Sequence, residues 1–125
     1  MVDPRPSREE GERPVPVSWR PVLSGIVRAF VNHDYGLAGG VESVDPVPET
    51  TARQVAAAVE NYGATLVELT AGTWQSSITQ WTGWHWEVLV DLRTAEEGRS
   101  DLSLFVDVRP ADSGYRFTVE GVWVE

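Results

Sequence analysis

The sequence predicts an α+β domain in which two N-terminal helices pack on one face of a four- to five-stranded antiparallel meander sheet. Two observations carry this. Apolar residues between positions 19 and 62 recur at helical spacing, and from residue 65 onward the period changes to two. Before both comes a stretch, residues 1–16, with Pro4, Pro6, Pro14 and Pro16 among charges and no apolar run. It is expected to be a disordered arm, leaving 17–125 as a single domain.

The first helix is expected over residues 18–33. Ser18 reads as its N-cap, and Trp19, Val22, Leu23, Ile26, Val27, Phe30 and Val31 form one apolar stripe. Asn32, His33 and Asp34 close it, and Gly36, Gly39, Gly40, Pro46 and Pro48 mark a loop. A second helix starts near Thr51 with Gln54 in the capping-box position. Ala52, Val55, Ala56, Val59 and Tyr62 form its buried side, and Gly63 suits its C-terminal cap.

Thr65 to Leu69 reads as a short strand. Residues 73–81 fit a short helix or a strand; the strand is preferred because Thr82-Gly83 then becomes a two-residue hairpin loop. Residues 84–93, 101–109 and 115–124 alternate as three further strands. Their apolar faces are Trp84, Trp86, Val88, Val90 and Leu92, then Leu102, Leu104, Val106 and Val108, then Phe117, Val119 and Trp123. Core must face core, so residue 88 should lie near 106 and 106 near 119, with a loop at Ala111-Asp112-Ser113-Gly114.

The opposite face then carries cross-strand rows of polar residues. These are His85, Arg109 and Arg116; Glu87, Asp107 and Thr118; Leu89, Phe105 and Glu120; and Asp91, Ser103 and Val122. Like charges face each other at Glu87–Asp107 and Arg109–Arg116, an arrangement the diagonals Glu87–Arg109 and Asp107–Arg116 would offset.

Composition narrows the function classes. A chain of 125 residues with no cysteine excludes thiol chemistry and zinc-thiolate sites. The net charge is -9, and all ten basic residues are arginine. Such a field disfavours nucleic acid and anionic membranes and favours a basic protein partner, although plain solubility charge explains it equally well. No signal peptide or membrane span is visible, so a cytoplasmic location is expected. Phosphate-loop, nucleophile-elbow, zinc-protease and dinucleotide motifs are missing, and no cofactor is expected.

The candidate partner-binding residues are Glu87, Asp91, Phe105, Asp107, Arg109, Arg116 and Glu120. The plainer reading of this cluster is a solvated ion-pair ladder. His85 with Glu87 and Asp91 could supply acid/base groups or metal ligands, but all three belong to one strand. His33 could act with Asp34, although a histidine at a helix end more often caps the last carbonyls. The acidic turn Thr94 to Asp101 reads as an exposed hairpin tip or a contact loop, with Gly98 suited to positive φ. With Trp19, Trp84, Trp86 and Trp123 assigned to the core, only Trp74 and Trp81 remain for stacking a ligand such as a sugar.

The segments AVENYGATLVEL, WQSSITQW, WEVLVDL and EEGRSDL resemble a family of small bacterial domains of unknown function, a resemblance that covers about residues 18–124. That resemblance implies no activity. Two helices followed by an antiparallel sheet also look like cystatin-like and NTF2-like α+β domains, which host enzymes, ligand cups and immunity proteins alike. The leading expectation is a non-enzymatic interaction protein, of immunity-inhibitor type, that meets a basic partner through the outer sheet face. The alternative is a small-ligand cup or enzyme using His85 or His33.

Overall fold

The computed structural model describes residues 6–124. It is α+β: two helices and a six-stranded antiparallel sheet. The strands are β1 (Arg13–Pro14), β2 (Leu66–Val67), β3 (Ile78–Trp81), β4 (Trp86–Thr94), β5 (Gly98–Ala111) and β6 (Gly114–Val124). The helices are α1 (Arg20–Val31) and α2 (Glu49–Tyr62). Strands β3 to β6 form a meander, β1 adds to the outer side of β3, and β2 pairs with the far end of β4. The sheet therefore exceeds the expected four or five strands by the dipeptide β1, and the strand expected over Thr65 to Leu69 shrinks to the dipeptide β2.

One of those dipeptides corrects the expectation of a disordered arm through residue 16. Arg13 and Pro14 pair with Thr79 and Ile78, and Val15 is buried. Proline is tolerated there because an edge strand needs hydrogen bonds on one side only. Further back, Trp86 Nε1 donates to the Ser7 carbonyl at 2.9 Å, and the Arg8 guanidinium lies 4.9 Å from the Trp81 ring centre. The first five residues of the expected arm lie outside the described residues.

The helices begin differently from expectation. A 3-10 turn, Val17–Trp19, precedes α1, and Ser18 makes no cap bond; Pro21 in the first turn favours the start instead. Helix α2 begins at Glu49 after Pro48, and Gln54 does not form a capping box. Its carboxamide reaches the outer edge of β6. There Nε2 donates to the Val122 carbonyl at 2.5 Å and Oε1 accepts from Val122 N–H at 2.9 Å. Gly63 takes the left-handed cap conformation at φ 81°, as expected.

The core lies between helices and sheet. It joins Trp19, Leu23, Ile26, Val27 and Phe30 with Val55, Val59 and the inward residues Trp86 to Leu92, Leu102 to Val108, Phe117, Val119 and Val122. Trp19 sits at its centre, edge-on to Trp86, Tyr115 and Phe117 at 5.4–5.9 Å between ring centres. The expected pairs Val88–Val106 and Val106–Val119 both form.

Three expectations fail locally. Residues 73–81 are split: Ala71–Gln75 form a 3-10 turn and only Ile78–Trp81 a strand. Trp81 pairs with Trp86, so the connection is Thr82–His85, and Trp84 at its tip is 65% exposed rather than buried. Trp123 is also outside the core, at 44% exposure, for a reason that shapes the outer face. No helix among the described residues is long and apolar enough to cross a membrane.

Candidate functional site

The helix-free face of the sheet brings together most of the residues singled out in the sequence. Glu87 faces Asp107, which faces Thr118; Leu89 faces Phe105; Arg109 faces Arg116. Past that point the expected register breaks. Val106 pairs with Val119 but Phe105 pairs with Gly121, so Glu120 is an extra residue in a β-bulge. The bulge reverses the alternation beyond it. Val122 turns inward, and Trp123 turns outward, opposite Ser103. A Cβ on Gly121 would lie 2.5 Å from the Trp123 ring and 2.6 Å from Gln54 Oε1, so only glycine fits where the chain switches sides.

The bulge completes an apolar stripe that the expected register lacks. Ile78 pairs with Leu89 and Leu89 with Phe105, all three half-buried, and the Trp123 ring packs edge-on against Phe105 at 5.1 Å. Four strands thus each contribute one large apolar side chain to the solvent side.

Beside the stripe lies a crowded acidic group. His85 Nε2 is 3.9 Å from Asp107 Oδ2, and both side chains are largely covered, at 14% and 17% exposure. Asp107 Oδ1 is buried with no hydrogen-bond partner among the described residues. Burial pushes the Glu120 carboxyl above its usual range, the charges of Glu87 and Asp107 push it further, and His85 opposes them. His85, Asp107 and Glu120 each offer one metal-ligating atom, all within 4.8 Å of one another. The expected set of His85, Glu87 and Asp91 is replaced by one drawn from three strands or their turns.

The two arginines do not take the expected diagonals. Both turn to Asp45, in the loop between α1 and α2. Arg116 donates to Asp45 Oδ1 from Nε at 3.0 Å and Nη2 at 2.7 Å, and Arg109 Nη2 donates to Oδ2 at 3.2 Å. Thr118 Oγ1 adds a bond to Oδ2 at 2.8 Å. Hydrogen bonds from Arg116, then Thr118, hold the Asp45 carboxyl below the usual carboxylate range. The same loop runs beside β6: Phe117 N–H donates to Ser43 O, and Asp45 N–H to Phe117 O. Asp45 was not visible as a site residue in the sequence; its only signal was the unfavourable facing of Arg109 and Arg116, expected to be offset by Glu87 and Asp107 instead.

Asp91 is also engaged within the fold. It is 7% exposed, accepts a hydrogen bond from Ser76, and lies 3.5 Å from Arg99 Nε. Its backbone N–H donates to Ser77 Oγ at 3.0 Å, filling the gap between β3 and β2 along β4. The Thr94–Asp101 turn is held too: Glu96 accepts from Thr65 N–H and Oγ1, and Gly98 has the expected positive φ of 75°.

Among the clefts elsewhere, two involve candidate residues or the arm. One, of about 670 Å³, opens between Arg8 on the arm and Pro110 and Tyr115 on the β5–β6 hairpin. The other, of about 300 Å³, lies at the ends of the helices and is lined by His33, Tyr35, Glu60 and Thr65. His33 has a φ of 64°, a conformation non-glycine residues adopt at some energetic cost. Burial, and then the Glu60 charge, raise the Tyr35 hydroxyl above its usual value.

Neither the curated proteins nor the solved structures yield a match to this chain. A model of a domain of unknown function, DUF7668, matches residues 27–125, which include α2 and the whole meander with its outer face. The chain therefore belongs to the DUF7668 family, and the helix-free face lies inside the segment that defines membership.

Proposed function

We propose that the domain is a non-enzymatic interaction protein that binds a basic protein through the helix-free sheet face. The observation that carries this is the apolar stripe of Leu89, Phe105 and Trp123 beside Glu87, Asp107 and Glu120. Apolar anchors surrounded by charge of one sign suit a partner with complementary charge. Because Arg109 and Arg116 are committed to Asp45, the acidic side chains remain available to such a partner. Asp91, Arg109 and Arg116 then hold the fold, while Glu87, Phe105, Asp107, Glu120 and Trp123 make the contacts. An immunity-type inhibitor of a basic toxin is the narrower form of this reading.

A small-ligand cup is the second reading. The space between helices and sheet is filled by Trp19, Leu23, Ile26 and Phe30, so a cup that uses His33 would be the cleft at the helix ends. One experiment separates the two. Affinity capture from the native host should recover a basic protein whose binding weakens about 10-fold or more in Phe105→Ala/Trp123→Ala. It should also weaken in Glu87→Gln/Asp107→Asn and in high salt, while His33→Ala binds as before. A partner retained by both double variants would sink the face assignment.

A further inference from the structure

We propose that His85, Asp107 and Glu120 form a binding site for a divalent transition-metal ion of the zinc class. The residues come from the turn before β4, the middle of β5 and the bulge of β6, and their ligand atoms lie within 4.8 Å of one another. An ion bonded at ~2.0–2.2 Å to such ligands holds them roughly 3–4 Å apart. Glu120 is exposed, so its side chain is free to rotate to shorten its distance to the other two.

The second observation lies outside the three ligands. Thr82 Oγ1 lies 3.0 Å from His85 Nδ1 and 2.9 Å from the His85 carbonyl oxygen. With the hydroxyl hydrogen on the carbonyl, Nδ1–H donates to Thr82 Oγ1 and the Nε2 lone pair is free toward Asp107, which at 3.9 Å is too far for a direct hydrogen bond. A partner that fixes the tautomer and aims the free nitrogen is how proteins prepare a metal-ligating histidine.

The carboxylates have no arginine counter-ion among the described residues. Asp107 Oδ1 is buried with no hydrogen-bond partner among them, and Arg109, two residues along β5, is turned to Asp45 and Thr118. Glu87 opposite Asp107 adds a further negative charge. One imidazole with two carboxylates suits zinc and its first-row neighbours better than magnesium or calcium, which favour all-oxygen sets. The site shares Asp107 and Glu120 with the proposed partner face, but metal binding by the isolated chain is read without any partner.

Calorimetric titration of the full chain with Zn2+ tests it, paired with NMR of the histidine ring nitrogens. One equivalent should bind with micromolar or tighter affinity and shift the His85 Nε2 resonance. Asp107→Asn and His85→Ala should each weaken binding about 10-fold or more, whereas His33→Ala should leave it unchanged. Mg2+ in about 100-fold excess should not displace Zn2+. Circular dichroism monitors folding, and Glu120→Gln serves as a third ligand variant if either of the others unfolds. Absence of binding at about 100 µM Zn2+, equal affinity in the folded ligand variants, or a shift confined to His33 would overturn the proposal.

Discussion

Asp45 and Asp107 are both carboxylates at the helix-free face, yet they occupy opposite electrostatic situations. Asp45 accepts four hydrogen bonds from Arg109, Arg116 and Thr118. Asp107 has one oxygen buried with no hydrogen-bond partner among the described residues and shares its surroundings with His85, Glu87 and Glu120. Donor supply, not position on the sheet, separates them. Asp45 engages both Arg109 and Arg116 in fastening a loop, whereas Asp107 and Glu120 have no arginine partner among the described residues.

Three substitutions test that contrast. Asp45→Ala should have the largest effect, a loss of about 2–3 kcal/mol in chemical denaturation, because it strips two arginines and a threonine of their shared acceptor. The contribution also depends on pH. Since the folded-state carboxyl is held below its unfolded value, its stabilisation is complete above the ordinary carboxylate range and fades as pH falls through the depressed value. Wild type and Asp45→Ala should therefore converge in stability at strongly acidic pH. Equal stability at pH 7 would show that the arginines find other partners.

Gly121→Ala should come next, at about 1–2 kcal/mol, because the added methyl group meets Trp123 and Gln54 together. If the bulge sets the outer face, the Trp123 fluorescence environment should change in the same variant. A stable variant with unaltered emission would mean that the bulge is not what turns Trp123 outward.

Glu120→Gln should act in the opposite direction and by the least. The raised carboxyl means that ionised Glu120 costs the folded state stability, a penalty that is missing below the ordinary carboxylate range and grows as pH rises through the raised value. Because the side chain is exposed, the gain should be only a few tenths of a kcal/mol at neutral pH and should vanish in acid. Thermal unfolding across pH measures it. A loss at neutral pH would place Glu120 among the stabilising groups with Asp45.

Much of this architecture was legible because it is periodic. Val88, Val106 and Val119 alternate with polar neighbours, and demanding that core face core places them correctly. The bulge escaped because one register slip leaves the pattern before it intact. Its signals, Gly121 inside a strand and the crowded Val122-Trp123 end, become informative only once Phe105 is seen to need a partner. Asp45 escaped for another reason. It lies 64 residues from Arg109 and 71 from Arg116, in a loop whose composition says only that it is a loop. Val15 was hidden by proline on either side, although a single buried valine and a two-residue pairing suffice to hold that stretch down. His85 was noticed, but its companions were sought along its own strand, whereas the chain supplies them from across the sheet.

The Gln54 carboxamide, set against Val122 as a peptide group would be, has a consequence for self-association. With Ser43 and Asp45 bonded to Phe117 farther along β6, and Arg13–Pro14 lying beside β3, the outer margins of the sheet are partly occupied by the chain itself. A neighbouring copy would have to displace these groups before extending the sheet into a fibre. The protein thus bears a partly apolar, unevenly charged sheet face while the margins of that sheet discourage strand-by-strand aggregation.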